Sequence, residues 1–132
     1  MIKESDFSAS KIGSPYVSPQ VIVNASHDML IMNDECFGPV VGIMKVKSDQ
    51  EAIELMNDSK FGLTASIWTA DHKIVEEIGD QLEIGTVFLN RCDYLDPALP
   101  WVGVKQSGRG SSLSEFGFRA LTRPKSYHLK LI

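Results

Sequence analysis

The chain has 132 residues, of which 43% are hydrophobic, 23% are charged and 8% are aromatic, and its formal net charge is −4. These proportions are typical of globular domains and exclude the disordered, collagen-like and disulfide-dense classes. An acidic chain offers no positive field to nucleic acid or to an anionic membrane surface, so we expect neither partner. A domain of this length can bury roughly two thirds of its unfolded surface, which predicts one folded unit with a real core.

Cys36 and Cys92 are the only cysteines, and no second sulfur lies near either of them in the sequence. Such spacing is typical of reduced thiols rather than of a disulfide framework, and it predicts a cytoplasmic protein. The opening residues, MIKESDFSAS, are polar, and no stretch approaches eighteen consecutive apolar residues. We therefore expect neither a signal peptide nor a membrane span.

The first half of the chain predicts two strands and a helix behind a polar leader. Residues 1–19 contain glycine and prolines that break any apolar period, and they predict a poorly ordered leader. The runs QVIVNA and FGPVVGIMKV are β-branched and apolar, which favours strands over 20–25 and 37–46. Apolar residues then recur at helical spacing in DQEAIELMND, and Ser48 with Glu51 forms an S-x-x-E capping box at its start.

The second half continues this alternation of strand and helix. LTASIWT and IGTVFLN predict strands over 63–69 and 84–90, and the segment between them predicts a helix with Asp71 as its N-cap. A long loop, 91–110, comes next, and a helix and a final strand close the chain. Strands that alternate with helices indicate parallel crossover units. The predicted fold class is therefore α/β, a parallel-type layered sheet with flanking helices.

The last seven residues, SYHLKLI, alternate between apolar and polar side chains. Tyr127, Leu129 and Leu131 fall on one face, as in a half-buried strand. A strand at this position pairs either within its own sheet or along the edge of another subunit, and the pattern alone leaves both alternatives open.

The segment PWVGVKQSGRG is basic and rich in glycine, which raises the question of phosphate binding. A P-loop needs a lysine directly after its last glycine, but Gly108 is followed by Arg109. A dinucleotide fingerprint needs a third glycine, and the run after Gly110 is SSL. We therefore expect the glycines to shape the backbone, and Ser112 with Glu115 to form a capping box for the next helix.

Other chemistry-bearing residues give weaker signals. The three histidines lack the spacing of zinc ligands, so no metal site is predicted. Cys36 is interpreted as a small packed side chain, whereas Cys92, in the loop after a strand, either lines a pocket or fills space. Glu35 precedes a rigid Phe-Gly-Pro turn, where a fixed carboxylate suits a pair of sugar hydroxyls. A solvated surface glutamate is the alternative.

Five stretches resemble, in the same order, the motifs of the NAD(P)-dependent aldehyde dehydrogenases. NDECFGPVVGI resembles E-x-F-G-P-V, FGLTASIWTAD resembles Y-G-L-x-A-x-V-(F/W)-T-x-D, and IGTVFLN resembles G-x-V-x-I-N. PWVGVKQSGRG resembles P-F-G-G-x-K-x-S-G-x-G, and LTRPKSYHLK resembles the closing F-T-x-x-K-x-V strand. The resemblance runs from about Pro15 to the C-terminus and corresponds to the final quarter or so of a family member.

This resemblance implies domain bounds for the chain and indicates which steps of the family's reaction its residues would not perform. Residues 20–121 would form part of the catalytic domain, and 122–132 an oligomerisation strand that pairs homo-oligomers through 126–131. The family attacks an aldehyde with a cysteine thiolate, passes hydride to NAD or NADP and releases a carboxylic acid. These reacting groups precede E-x-F-G-P-V in family order, so neither Cys36 nor Cys92 takes the nucleophile's place. The chain alone is expected to be inactive, without a catalytic residue and without a tightly bound cofactor.

The resemblance also assigns supporting roles to several residues. Glu35 matches the carboxylate that accepts hydrogen bonds from the nicotinamide ribose, and Phe37 matches the ring beside the nicotinamide. Asn90 ends the strand that leads to the substrate loop. The positions that line the family's aldehyde tunnel are held here by Cys92, Asp93, Leu95 and Trp101.

Four positions depart from the family pattern. Trp101 replaces the usual phenylalanine, and its larger ring would reshape the tunnel mouth. Val102 replaces a glycine, while Ser112 and Ser114 replace a glutamate and a glycine. A second function also stays open, that of a non-catalytic α/β module for oligomerisation or interaction.

Overall fold

The computed structural model describes Phe7, 13–92 and 94–132, and these residues fall into two compact units divided after Leu55. Most of the predicted leader, 1–19, lies outside the described residues. Of its described part, Ser18 is buried, and its hydroxyl accepts a hydrogen bond from Nε2 of Gln20 at 2.8 Å.

The first unit pairs its two strands in parallel. The strands are β1, Gln20–Val23, and β2, Val40–Ile43, and their register runs from Gln20 opposite Val40 to Val23 opposite Ile43. A parallel pair needs a crossover connection, and here it contains a short helix, α1, Leu30–Asn33. A Cβ on Gly42 would lie 2.6 Å from Sδ of Met32, so α1 packs closely against β2 because that position is glycine.

The longest helix, α2, Asp49–Asn57, begins where the capping box predicts. Oγ of Ser48 accepts a hydrogen bond from the backbone N–H of Glu51 at 3.2 Å. The Glu51 carboxylate accepts in return from the N–H of Lys47 at 2.6 Å, one residue earlier than the box requires. Ile53 is the buried residue of this helix.

The second unit contains the other predicted parallel pair. Strand β3 is Phe61–Gly62, β4 is Thr64–Ile67, α3 is His72–Gly79 and β5 is Thr86–Leu89. β4 and β5 are parallel, and the crossover between them is α3. Oδ1 of Asp71 accepts from the N–H of Lys73 at 3.0 Å, which confirms Asp71 as the N-cap. The α/β class and the parallel crossovers are confirmed, although the described strands form four two-stranded sheets rather than one layered sheet.

The prediction of an unbroken loop over 91–110 is wrong. Strand β6, Trp101–Val102, pairs antiparallel with β8, Ser111–Ser112. Strand β7, Val104–Lys105, pairs antiparallel with β3. Two-residue strands carry no hydrophobic period, which is why the sequence pattern missed them.

The predicted capping box of Ser112 with Glu115 is also wrong. The last helix, α4, is Ser114–Leu121, and its N-cap position is Leu113, without a side-chain capping bond. Ser112 is held in β8 instead, and the backbone turns into the helix through left-handed conformations at Leu113 and Ser114, with φ of 64° and 54°. Such angles are costly for a non-glycine residue, and Ser114 stands where the resemblance expects glycine.

The predicted final strand is not formed within this chain. Residues 122–132 have no regular secondary structure, and all of them are exposed. The alternation of Tyr127, Leu129 and Leu131 specifies a strand only when a sheet edge supplies the backbone partners. Among the described residues the tail pairs with none of the strands, so pairing within the chain is not observed.

The described residues bury few apolar side chains. Ala25, Ile53, Ala65 and Leu82 are the buried hydrophobic residues. Many large apolar side chains of the described residues are exposed instead, among them Phe37, Trp68, Phe118 and Leu121. The core of the described part is therefore small, and its short sheets and helices carry apolar faces that no other described residue covers.

Candidate functional site

Glu35 and Phe37 project from the turn that follows α1. The helix ends with a hydrogen bond from the N–H of Asp34 to the carbonyl of Leu30 at 2.8 Å. Glu35 is exposed, and Phe37 is 96% exposed. Within the described residues, the Glu35 carboxylate has no hydrogen bond or ion pair, so both of its oxygens are available to donors from a ligand.

The turn itself is anchored on both sides. On one side, the amide of Asn33 donates to the carbonyls of His27 and Met29. On the other, the carbonyl of Pro39 accepts from the N–H of Gln20 at 2.7 Å, which ties the end of the turn to β1. Glu35 therefore stands on a braced segment rather than on a free loop.

A serine hydroxyl stabilises the start of this segment. Oγ of Ser26 donates to Oδ1 of Asp28 at 2.5 Å. This hydrogen bond holds the pKa of the Asp28 carboxyl below its usual value, because it favours the charged form. Any stability that it contributes is present above the ordinary pKa of an aspartate and is lost as the pH falls through the lowered value.

Of the residues predicted to line an aldehyde tunnel, Cys92, Asp93 and Leu95 follow β5 in the chain, and Trp101 is the first residue of β6. Cys92 is an exposed free thiol, and Leu95 is also exposed. Asp93 lies outside the described residues. The guanidinium of Arg91 stacks over the ring of Tyr94 at 3.8 Å from its centroid, so the chain's own cation covers this aromatic face.

Hydrogen bonds to β8 and to the start of α4 hold the far end of the segment that follows β5. The N–H of Ser114 donates to the carbonyl of Pro97 at 2.9 Å. Trp101 is half-buried in β6, where it lies opposite Ser112. Val102, which departs from the family pattern, continues this pairing, and its carbonyl passes directly over Gly85.

The lysine of the glycine-rich segment is engaged by other groups of this chain. Nζ of Lys105 donates to the carbonyls of Asn57 and Ser59 at 2.6 and 3.0 Å and lies 2.9 Å from Oε2 of Glu83. An ammonium group has three donors, and three acceptors of this chain already surround it. The hydroxyl of Ser107 accepts from the N–H of Gly62 at 2.9 Å. Lys105 and Ser107 of this segment therefore bind backbone groups of the same chain. This agrees with the expectation that the segment shapes the backbone.

The described ranges contain no group of three histidine, cysteine, aspartate or glutamate side chains placed to hold a metal ion. No helix among them has the length and apolar character needed to cross a membrane.

Comparison with known proteins identifies the family. The sequence profile of the aldehyde dehydrogenase family matches residues 5–127. An aldehyde dehydrogenase of Paenarthrobacter nicotinovorans is 43% identical over 111 residues, which are 84% of this chain and 24% of that protein. The chain therefore belongs to the aldehyde dehydrogenase family.

Solved structures agree with this assignment. The indole-3-acetaldehyde dehydrogenase AldA of P. syringae, solved with NAD+ and IAA, superimposes with a TM-score of 0.83 at 35% identity over 90% of this chain. The betaine aldehyde dehydrogenase of Staphylococcus aureus, solved with NAD+, gives 0.72 at 37% identity over 75% of it. The matched part is only 24% of the first structure and 20% of the second. The chain thus spans about a quarter or less of the relatives it matches.

The predicted site residues fall into two groups, one in each unit. Glu35 and Phe37 belong to the first, and Cys92, Leu95 and Trp101 to the second. Sequence reasoning missed the polar contacts of Asn57, which lies in no motif, and those of Lys105, which it treated only as part of the stretch PWVGVKQSGRG. It noted Asn90 only as the end of a strand. An asparagine directly after a half-buried strand is the signal that points to a backbone contact there.

Proposed function

We propose that this chain is the C-terminal part of an NAD(P)-dependent aldehyde dehydrogenase that oxidises an aldehyde to a carboxylic acid. The observation that carries the proposal is the family match over 5–127 in a chain whose described part leaves its apolar faces uncovered. Such faces suit a segment that packs into a larger catalytic domain. Both cysteines are free thiols, which is consistent with the cytoplasm as its compartment.

The cofactor side of the proposal rests on Glu35 and Phe37. An exposed carboxylate on a braced turn fits a pair of ribose hydroxyls, and an exposed ring two residues away fits the face of a flat heterocycle. NAD or NADP, when bound, supplies the acceptor of the hydride that leaves the aldehyde carbon. The part of this chain is to orient that acceptor, and binding by these residues alone is expected to be weak.

The aldehyde side of the proposal rests on the segment between β5 and β6 and on the first residue of β6. We assign Cys92, Asp93, Leu95 and Trp101 to one wall of the aldehyde tunnel. The hydrogen bond from Ser114 to the carbonyl of Pro97 and the pairing of β6 with β8 hold the far end of this wall. The attacking thiolate is assigned to residues outside the present sequence, so Cys92 contributes surface rather than a covalent bond.

A charge-removing variant tests the cofactor role. We expect Glu35→Gln to lower kcat at least tenfold in a chimera in which residues 15–132 replace the matching part of P. syringae AldA. The reason is that a charge-assisted hydrogen bond contributes about 1.5–3 kcal/mol, which a neutral amide retains only in part. Steady-state formation of NADH measures the effect, and thermal unfolding should be unchanged because the carboxylate is exposed.

Glu77→Gln is the matched control, since Glu77 is also an exposed carboxylate and lies on α3 rather than on the turn. Equal kinetics of the two variants would remove Glu35 from the cofactor site. The 132-residue chain itself, mixed with aldehyde and NAD+, should form no NADH. Turnover that disappears in Cys92→Ser or Cys36→Ser would show that this chain does contain the nucleophile.

A second function, a non-catalytic module for oligomerisation or interaction, is favoured by one specific observation. The exposed tail 126–131 keeps an apolar face made by Tyr127, Leu129 and Leu131. We propose that this tail pairs with the edge of a second copy, since extended backbone with unpaired N–H and C=O groups adds readily to a sheet edge.

Removal of residues 126–132 is expected to reduce the oligomeric state of the chain, because it deletes the proposed pairing strand. Size-exclusion chromatography with light scattering gives the molar mass directly. Leu129→Lys is a smaller change that keeps the length but places a charge on the apolar face, and the same loss of association is expected. An unchanged molar mass for both variants would contradict pairing through this tail.

A further inference from the structure

The side chain of Asn90 makes two hydrogen bonds to one residue. Its Oδ1 accepts from the backbone N–H of Thr69 at 2.9 Å, and its Nδ2 donates to the carbonyl of Thr69 at 2.8 Å. The backbone N–H of Asn90 also donates to the carbonyl of Ile67 at 2.9 Å. Because a side-chain amide has the same donor and acceptor as a peptide unit, it extends the β4–β5 pairing one step beyond Ile67 and Leu89.

The residue after Asn90 is anchored as well. The carbonyl of Arg91 accepts a hydrogen bond from the hydroxyl of Ser66 on β4. Asn90 itself has a left-handed backbone, with φ of 51°, which turns the chain out of the strand direction. The first two residues after β5 are therefore held by three side-chain contacts before the segment 91–99 begins.

The contact at Thr69 continues into α3. Oγ1 of Thr69 accepts from the N–H of Asp71 at 3.0 Å, and Asp71 caps the helix. The end of β4, the exit from β5 and the start of α3 thus form one hydrogen-bonded unit. It lies at the carboxyl ends of two parallel strands, which is the edge where open α/β sheets bind their ligands.

We infer that Asn90 is a positioning residue that aims the segment 91–99 by clamping its base to Thr69, with Ser66 as a second anchor. The amide bonds set where Cys92 and Leu95 lie relative to the β4–β5 edge. The inference deepens the proposed function and rests on it in one respect. If 91–99 forms the aldehyde wall, the clamp sets the affinity for the aldehyde and not for the cofactor.

A comparison of two asparagines separates this clamp from a simple turn. Asn24 has φ of 55°, almost the same as Asn90, but within the described residues its side chain makes no hydrogen bond. Glycine adopts such angles without cost, so Asn→Gly keeps the backbone and removes only the amide. Asn24→Gly is the matched control for Asn90→Gly.

The 132-residue chain serves directly for the first measurement, amide hydrogen exchange with backbone NMR. In Asn90→Gly, the Thr69 amide should exchange at least tenfold faster, and the resonances of 91–99 should shift. Asn24→Gly should change neither. Unchanged exchange and unshifted resonances in Asn90→Gly would overturn the clamp.

A second variant keeps the test decisive if Asn90→Gly does not fold. Asn90→Asp tolerates the same backbone angle but places a carboxylate oxygen against the Thr69 carbonyl. Asn90→Asp should shift the same resonances of 91–99. If these resonances stay in place, the clamp is overturned as well.

The chimera with P. syringae AldA tests the link to the aldehyde. There, Asn90→Gly should raise the aldehyde KM about tenfold, while the KM for NAD+ stays within twofold. A parallel rise in both would make Asn90 a general structural residue and overturn its role in aldehyde positioning. An inactive chimera with the natural sequence would count against the proposed function, whereas the NMR result would still decide the clamp.

Discussion

The Gly85→Ala variant is expected to lose about 3 kcal/mol of unfolding free energy, at the upper end of the usual cost of overpacking. A Cβ built on Gly85 lies 1.6 Å from the carbonyl oxygen of Val102 and 2.5 Å from its carbonyl carbon. These are backbone atoms of β6, so no side-chain rotation relieves the clash. Either β6 moves and loses its pairing with β8, or β5 is displaced at its start.

Urea denaturation followed by tryptophan fluorescence measures this loss, because Trp101 lies in the displaced strand. Gly79→Ala is the control. Its Cβ would come no closer than 3.8 Å to Val87, and alanine favours a helix, so the variant should be neutral or stabilised by up to about 1 kcal/mol. Equal stability of Gly85→Ala and the natural chain would mean that the Val102 carbonyl does not lie against Gly85.

Replacement of Lys105 by methionine is expected to cost about 1.5–3 kcal/mol of stability. Methionine keeps much of the aliphatic stem and removes the ammonium, so the carbonyls of Asn57 and Ser59 lose their donor. Asn57 ends α2, where a cation is also favourable to the helix dipole. The Lys105 side chain is 22% exposed, so water replaces the lost bonds only in part.

The partner carboxylate supplies the matched control. Glu83 is 67% exposed, so its ion pair with Lys105 is screened and Glu83→Gln should cost less than about 1 kcal/mol. Denaturation of both variants at low and high salt separates the two contributions. If Glu83→Gln is as costly as Lys105→Met and high salt abolishes both losses, the ion pair rather than the carbonyl contacts stabilises this region.

The strands and helices with a clear apolar period were predictable. The pattern of QVIV and VVGI placed β1 and β2, and the caps at Ser48 and Asp71 placed α2 and α3. Each of these signals acts within a few residues of the chain. The alternating tail follows the same rule, but a strand also needs a pairing partner, and Tyr127 to Leu131 pair with no strand among the described residues.

The candidate site was predictable only by resemblance. The exposure of Glu35 and Phe37 on a braced turn is compatible with that assignment. Asp93 lies outside the described residues, and the roles of Cys92, Leu95 and Trp101 stay predictions. The short strands β6 and β8 and the left-handed turn at Leu113 and Ser114 had no signal, because two-residue pairings depend on neighbours distant in the chain.

The amino-acid sequence by itself determined the α/β class, the parallel crossovers, the helix starts at Ser48 and Asp71 and the family. These follow from apolar periods, capping residues and motif order, all of which act locally. Only the tertiary structure decided what Asn90 and Lys105 do. Their partners lie 21 and up to 48 residues away, and a hydrogen bond forms between groups that the fold brings together, whatever their separation along the chain.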